Sequence, residues 1–336
     1  MSDRQASQPP AFGAGERYRQ SAGPRTGRLA AFLALWGDWL RRHQRAVRRL
    51  QWGIVAIYAI LLIVPTLIDL PGRSAHVWNN LTLFAQFVFW GIWWPGVLLS
   101  MLLFGRLWCG VMCPEGALSE AASRRGLGRA TPRWIRWRGW PFAAFVMTTV
   151  YGQLVSVYQY PGPALLILGG STAAAIVVGY FYGRNHRVWC RYLCPVNGVF
   201  GLLAKLAPMH YAVDAQAWAR TRPEEGRTPQ VTCAPLVSLP TLDSASPCHM
   251  CGRCAGFRNA IELRPRPPGS EVIKLGHTAT PWDGALTVTG LIGVASGAFL
   301  WSASPWFVTL KLTLAQWLIA AGVIWPLEMR LPCGGC

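Results

Sequence analysis

Gly105-Arg106-Leu107-Trp108-Cys109-Gly110-Val111-Met112-Cys113-Pro114 and Arg187-Val188-Trp189-Cys190-Arg191-Tyr192-Leu193-Cys194-Pro195 are two versions of one pattern. Each reads Trp-Cys, three residues, Cys-Pro, with an arginine two residues before the tryptophan. Each follows a long apolar run, and Cys109 and Cys190 are 81 residues apart. The pair therefore reads as an internal repeat of two helices plus a motif.

The rest of the chain supports a membrane setting. Its 336 residues are 52% hydrophobic and only 14% charged, where soluble domains carry roughly a quarter charged residues. Eighteen tryptophans fit interfacial anchoring. Six apolar runs, near 51–70, 83–105, 140–160, 164–182, 285–303 and 306–326, are long enough to cross a bilayer. The expected fold is all-α and integral to the membrane, with about six transmembrane helices in three hairpins.

Charge orients this plan. With both termini inside, the outer loops are about 71–82, 161–163 and 304–305. Of 32 Lys and Arg, only Arg73 lies in those loops and Lys311 near the outer end of the last helix, leaving 30 on one side. The positive-inside rule makes that side cytoplasmic, in a multi-pass protein of the bacterial inner membrane. The net charge of +18 thus tracks topology, and no nucleic-acid partner is expected. Met1 to Arg28 is polar and basic, so no cleaved signal peptide is expected.

Four segments follow. Residues 1–28 read as a disordered basic tail, 29–209 as a membrane domain with both hairpin-plus-motif repeats, 210–281 as a small cytoplasmic ferredoxin-like segment, and 282–336 as a third transmembrane hairpin with a C-terminal cysteine pair. Within them, Leu29 to Leu40 and Val196 to Met209 read as interfacial helices, and 119–139 as a basic loop edged by Trp134, Trp137 and Trp140. At about 70 residues, the 210–281 segment needs a metal or cluster to hold it together.

All ten cysteines fall on the expected cytoplasmic side, which favours metal, cluster or redox chemistry over disulfides. Cys248-x2-Cys251-x2-Cys254 matches the first three ligands of a bacterial ferredoxin run, with Gly252 easing the turn. A zinc site would use the same atoms, usually as two Cys-x2-Cys pairs. Arg258 stands where the ferredoxin run places its fourth cysteine. Cys233 is the nearest substitute, with Cys333 and Cys336 as further options. Cys109, Cys113, Cys190 and Cys194 meet at the membrane surface if the two hairpins lie side by side. The proline after each pair ends its helix and frees backbone N–H groups for cluster sulfurs. Cys333-x2-Cys336 suits a mobile dithiol, a copper or other metal site, or a borrowed cluster ligand.

These motifs resemble the polyferredoxin-type membrane proteins of the NapH/NosR/CcoG group. The resemblance covers roughly residues 83–260 and is specific at Trp108–Pro114 with Glu115-Gly116-Ala117-Leu118, and at Trp189–Pro195 with Gly198. It implies [4Fe–4S] clusters, two here, and electron transfer at the membrane in support of a respiratory reductase or of the maturation of a metalloenzyme, copper enzymes included. The chain has one incomplete ferredoxin run where members often have two full ones.

The implied partners are lipid, a redox protein or quinone, and a metalloenzyme client. A cupric reductase or copper-delivery factor is the alternative, and a zinc-stapled scaffold the second. Arg106, Arg187 and Arg191 either hold lipid phosphate or offset charge at the thiols. His249 is expected to stand outside the ligand set or in solvent. Lys311 reads as a snorkelling side chain, with contact to a quinone or acidic partner as the other reading. No Walker A loop, dinucleotide fingerprint or Ser/His/Asp set is present, and no catalytic residue is assigned.

Overall fold

The computed structural model describes residues 27–68, 71–72, 74–137, 139–221, 231–242, 244–275, 290, 292–294, 296–297 and 304–320. Cys333 and Cys336 lie outside them, as do the basic tail and most of the expected third hairpin. In chain order the described elements are α1 (Arg28–Arg42), α2 (Gln44–Thr66), α3 (Leu81–Phe104), α4 (Leu107–Val111), α5 (Pro114–Arg124), α6 (Trp140–Leu154), α7 (Pro161–Tyr182), α8 (Val188–Tyr192), α9 (Asn197–Ala204), β1 (Met209–Val213), α10 (Ala215–Arg220), β2 (Ile261–Pro265), α11 (Ser270–Leu275) and α12 (Pro305–Ala320).

Among the described residues, α2, α3 and α7 are long and apolar enough to cross a membrane. They answer the first, second and fourth expected spans. The third is shorter than expected: α6 has 15 residues and closes at Val155, after which Ser156 turns the chain with a positive φ of 55°. The protein is mostly helical and carries membrane helices; the fifth span falls largely outside the described residues, and α12 is the described part of the sixth.

Both α3 and α7 contain a π-helical segment, Phe87–Trp93 and Leu165–Gly169. Such wide turns cluster at functional sites. Tyr58 of α2 donates its hydroxyl to the Leu168 carbonyl at 3.2 Å, fixing α2 against the π segment of α7.

Outside the helical bundle, β1 pairs antiparallel with β2, Met209 opposite Pro265 and Val213 opposite Ile261. This ribbon brackets the cysteine run and Cys233. Its core is Tyr211, Val213, Ile261 and Leu263 with Met250 and Leu33. Leu33 belongs to α1, which buries Ala30, Leu33, Gly37 and Leu40. Gly37 permits the approach: a Cβ there would lie 3.1 Å from the Leu263 Cβ. The helix expected at the membrane interface is thus part of the core of the small cytoplasmic segment expected at 210–281. Its other face still exposes Phe32 and Leu35.

Two further expectations change. Residues 119–124 are the end of α5, not loop, and the Ser119 carbonyl packs against Gly179 of α7. The interfacial helix expected over 196–209 is only α9, eight residues with Phe200, Gly201 and Ala204 buried, and Met209 already belongs to β1.

Candidate metal centres

The two motifs fold alike, bond for bond. Met112 and Cys113 both donate their amides to the Trp108 carbonyl at 2.9 Å. Leu193 and Cys194 donate to the Trp189 carbonyl at 2.9 and 3.0 Å. The Gly110 amide reaches the Arg106 carbonyl and the Arg191 amide the Arg187 carbonyl, each at 3.2 Å. A one-turn helix after each arginine therefore places two thiols on one side of a tight corner. The prolines do more than end a helix: Pro114 opens α5, and Cys113 is its N-cap, its Sγ accepting the Gly116 amide at 3.4 Å.

The four thiols face one another. Cys109, Cys113, Cys190 and Cys194 line a single cavity of about 260 Å³, into which Cys113 and Cys194 open while Cys109 and Cys190 are buried. The cavity continues between the membrane helices along Phe89, Trp90 and Trp93 of one π segment and Ile167 and Leu168 of the other. Glu115 lines it too and accepts the Trp189 indole N–H at 3.1 Å. Burial pushes the Glu115 carboxyl up, against the hydrogen bonds from Ser171 and Trp189. Burial likewise pushes the Cys190 thiol up to about 12 despite the adjacent Arg187, so this thiol must give up a proton to ligate a metal.

Cys233, Cys248, Cys251 and Cys254 line a second, smaller cavity. The Met250 amide donates to Cys248 Sγ at 3.4 Å. Gly252 takes a φ of 77°, and a Cβ there would lie 2.6 Å from the Leu40 Cβ of α1. Burial raises the Cys248 thiol to about 12 and the Cys233 thiol to about 11. Arg258, at the place of the absent fourth cysteine, stacks its guanidinium on Trp218 at 4.4 Å from the ring centroid. His249, expected outside the ligands or in solvent, is 1% exposed and lines this cavity.

The two sites touch. A Cβ on Gly110 would stand 2.0 Å from the His249 carbonyl oxygen and 2.9 Å from the Cys251 amide nitrogen. Gln51 of α2 donates to the Gly110 carbonyl and Gln44 to the Cys251 carbonyl, both at 2.9 Å. Arg106 and Arg187 are 4% and 0% exposed, which excludes lipid phosphate as their partner. Arg106 donates to the Ser246 carbonyl at 2.7 Å and Arg187 to the Cys109 carbonyl at 2.5 Å. Arg191 is half-buried.

A buried acid that sequence reasoning missed completes the contact. Glu120 Oε2 takes Arg187 Nε at 2.9 Å and lies 2.8 Å from its Nη2 as an ion pair; Oε1 takes Arg253 at 2.6 Å and Arg124 at 2.8 Å. Its only signal in the sequence is an acid among apolar small residues in a chain with 14 Asp and Glu.

The donor sets fit iron–sulfur clusters. Each cavity is walled by four thiols, the number that ligates a [4Fe–4S] cluster, with a backbone N–H on one sulfur. Among the described residues no three His, Cys, Asp or Glu side chains converge as a single ion needs. A cubane core holds its thiolates farther apart than one ion does, which suits thiols spread around a cavity.

Residues 86–138 and 165–211, which contain the two motifs, match the family described as "4Fe-4S binding domain". Over these two stretches the chain is similar to that domain family. It is 27% identical over 238 residues to "Protein NirI" of Paracoccus denitrificans (strain Pd 1222), covering 62% of this chain and 32% of that protein. It is 26% identical over 266 residues to "Regulatory protein NosR" of Pseudomonas aeruginosa, covering 67% of this chain and 35% of that protein. The chain thus spans about a third of the length of these curated relatives. No solved structure matches it. The domain and the two relatives bear out the resemblance to NapH/NosR-type membrane iron–sulfur proteins.

Proposed function

We infer that this protein is a membrane-bound electron carrier with two [4Fe–4S] clusters, one held by Cys109, Cys113, Cys190 and Cys194 and one by Cys233, Cys248, Cys251 and Cys254. The observation that carries this reading is the contact at Gly110, where the corner of one thiol set lies on the backbone of the other. Bound clusters supply one-electron carriage between these sites. The chain supplies the rest: thiols to ligate, the Gly116 and Met250 amides to hydrogen-bond sulfur, and buried arginines to offset anionic charge.

The apolar, aromatic cavity reaching from the first site into the bundle suits a quinone, the electron partner on the membrane side. The cysteine sites lie at the basic side of the chain, which supports a cytoplasmic placement in the inner membrane and a donor or acceptor protein there. A respiratory or copper metalloenzyme, or its maturation, is the client this reading implies.

Anaerobic purification followed by iron, sulfide and zinc analysis with EPR tests it. Cys190→Ser removes one cluster signal and Cys233→Ser the other. Retention of both signals in Cys233→Ser overturns that ligand assignment. Quenching of tryptophan fluorescence by a short-chain quinone reports the cavity; no saturable quenching removes the quinone from the scheme.

A further inference from the structure

We propose that Glu120 is a positioning residue that sets the reduction potentials of both thiol sites together, acting through Arg187 and Arg253. This inference rests on the two-cluster reading above.

The geometry gives one carboxylate a cation on each side. Arg187, fully buried, binds Oε2 and donates Nη1 to the carbonyl of Cys109, so it belongs to the first site. Arg253 binds Oε1 at 2.6 Å and stands between Cys251 and Cys254 in the run, so it belongs to the second. Arg124, the third partner, is 36% exposed and lies on the outer side of the same helix. Among the described residues, Glu120 is therefore the carboxylate bonded to an arginine at each site.

Reduction adds negative charge to a site. A nearby cation stabilises the reduced form and a nearby carboxylate opposes it, with little screening in a dry interior. Neutralising Glu120 leaves Arg187 and Arg253 uncompensated, and both potentials rise. The other copy of the repeat has no such acid: 81 positions on, the residue is Gly201.

An EPR-monitored redox titration of the purified, cluster-loaded protein reads the effect. In Glu120→Gln both midpoint potentials rise, and in Glu120→Asp, which keeps the charge, both return towards wild type. Arg253→Gln removes a cation from the second site and lowers its potential, the opposite sign. This variant also carries the test if Glu120→Gln does not accumulate, and a rise or no change in it overturns the proposal. So does movement of only one potential in Glu120→Gln, or equal shifts in the Gln and Asp variants. Wild-type protein without two cluster signals would instead sink the two-cluster reading itself.

Discussion

The two halves of the repeat share their hydrogen bonds but not their neighbours. Trp108 and Trp189 each close the corner between their cysteines in the same way. Yet Gly110 in the first half is replaced by Arg191 in the second, Glu115 by Val196, and Glu120 by Gly201. The first half can therefore lie flat on the Cys248–Cys254 run and meet it with a carboxylate. The second half supplies two thiols and Arg187 and meets the other site at its Cys233 end, where the Arg187 amide donates to the Ala234 carbonyl at 2.7 Å and the His186 ring lies 3.0 Å from the Cys233 carbonyl. One fold, used twice, builds a four-thiol site; small changes in one copy attach that site to another.

Breaking the charged contact has the largest effect. Removing one partner of a buried ion pair costs about 3–5 kcal/mol, because the other charge stays buried. Glu120→Gln should lower stability by that order, read as the thermal midpoint in detergent. Burial works against this carboxylate, but Arg187 and Arg253 outweigh it and hold its pKa down to about 2 against an ordinary 4.5. A depressed pKa contributes stability that is whole above 4.5 and is lost as pH falls towards about 2. Wild type should thus lose stability across that range more steeply than Glu120→Gln; parallel pH curves would show that the ion pair does not hold this pKa down.

Steric change at the contact comes next. Gly110→Ala pushes a methyl group into the His249 carbonyl and should cost about 1–3 kcal/mol as an overpacked position. It should also slow electron exchange between the clusters. Arg191→Ala, the matching change in the other half, should do neither. Equal effects from both variants would erase the asymmetry drawn here.

The smallest expected effect lies at Arg258, the place of the missing ferredoxin cysteine. Its stacking on Trp218 is worth about 0.5–2 kcal/mol, so Arg258→Ala should lower the melting midpoint slightly and leave iron content unchanged. Loss of iron would show that this position still serves the second cluster.

Much of this was legible from residues. The repeated motif spacing makes a shared site reachable for Cys109, Cys113, Cys190 and Cys194, which line one cavity, and Cys233, the cysteine nearest the run in sequence, lines the other. The spans α2, α3 and α7 follow from apolar length alone. What stayed hidden depends on contacts between distant segments. α1 is apolar on both faces, so sequence could not say that Leu33 lies in the β-ribbon core rather than in lipid. Arg106 and Arg187 look like any basic residues at a membrane edge until burial excludes phosphate. Glu120 has no motif at all; its role exists only where α5, Arg187 and the cysteine run converge.

Iron and acid-labile sulfide per chain, measured on anaerobically purified protein, test the central claim most directly. Two [4Fe–4S] clusters require about eight iron and eight sulfide. Stoichiometric zinc with no acid-labile sulfide would contradict it.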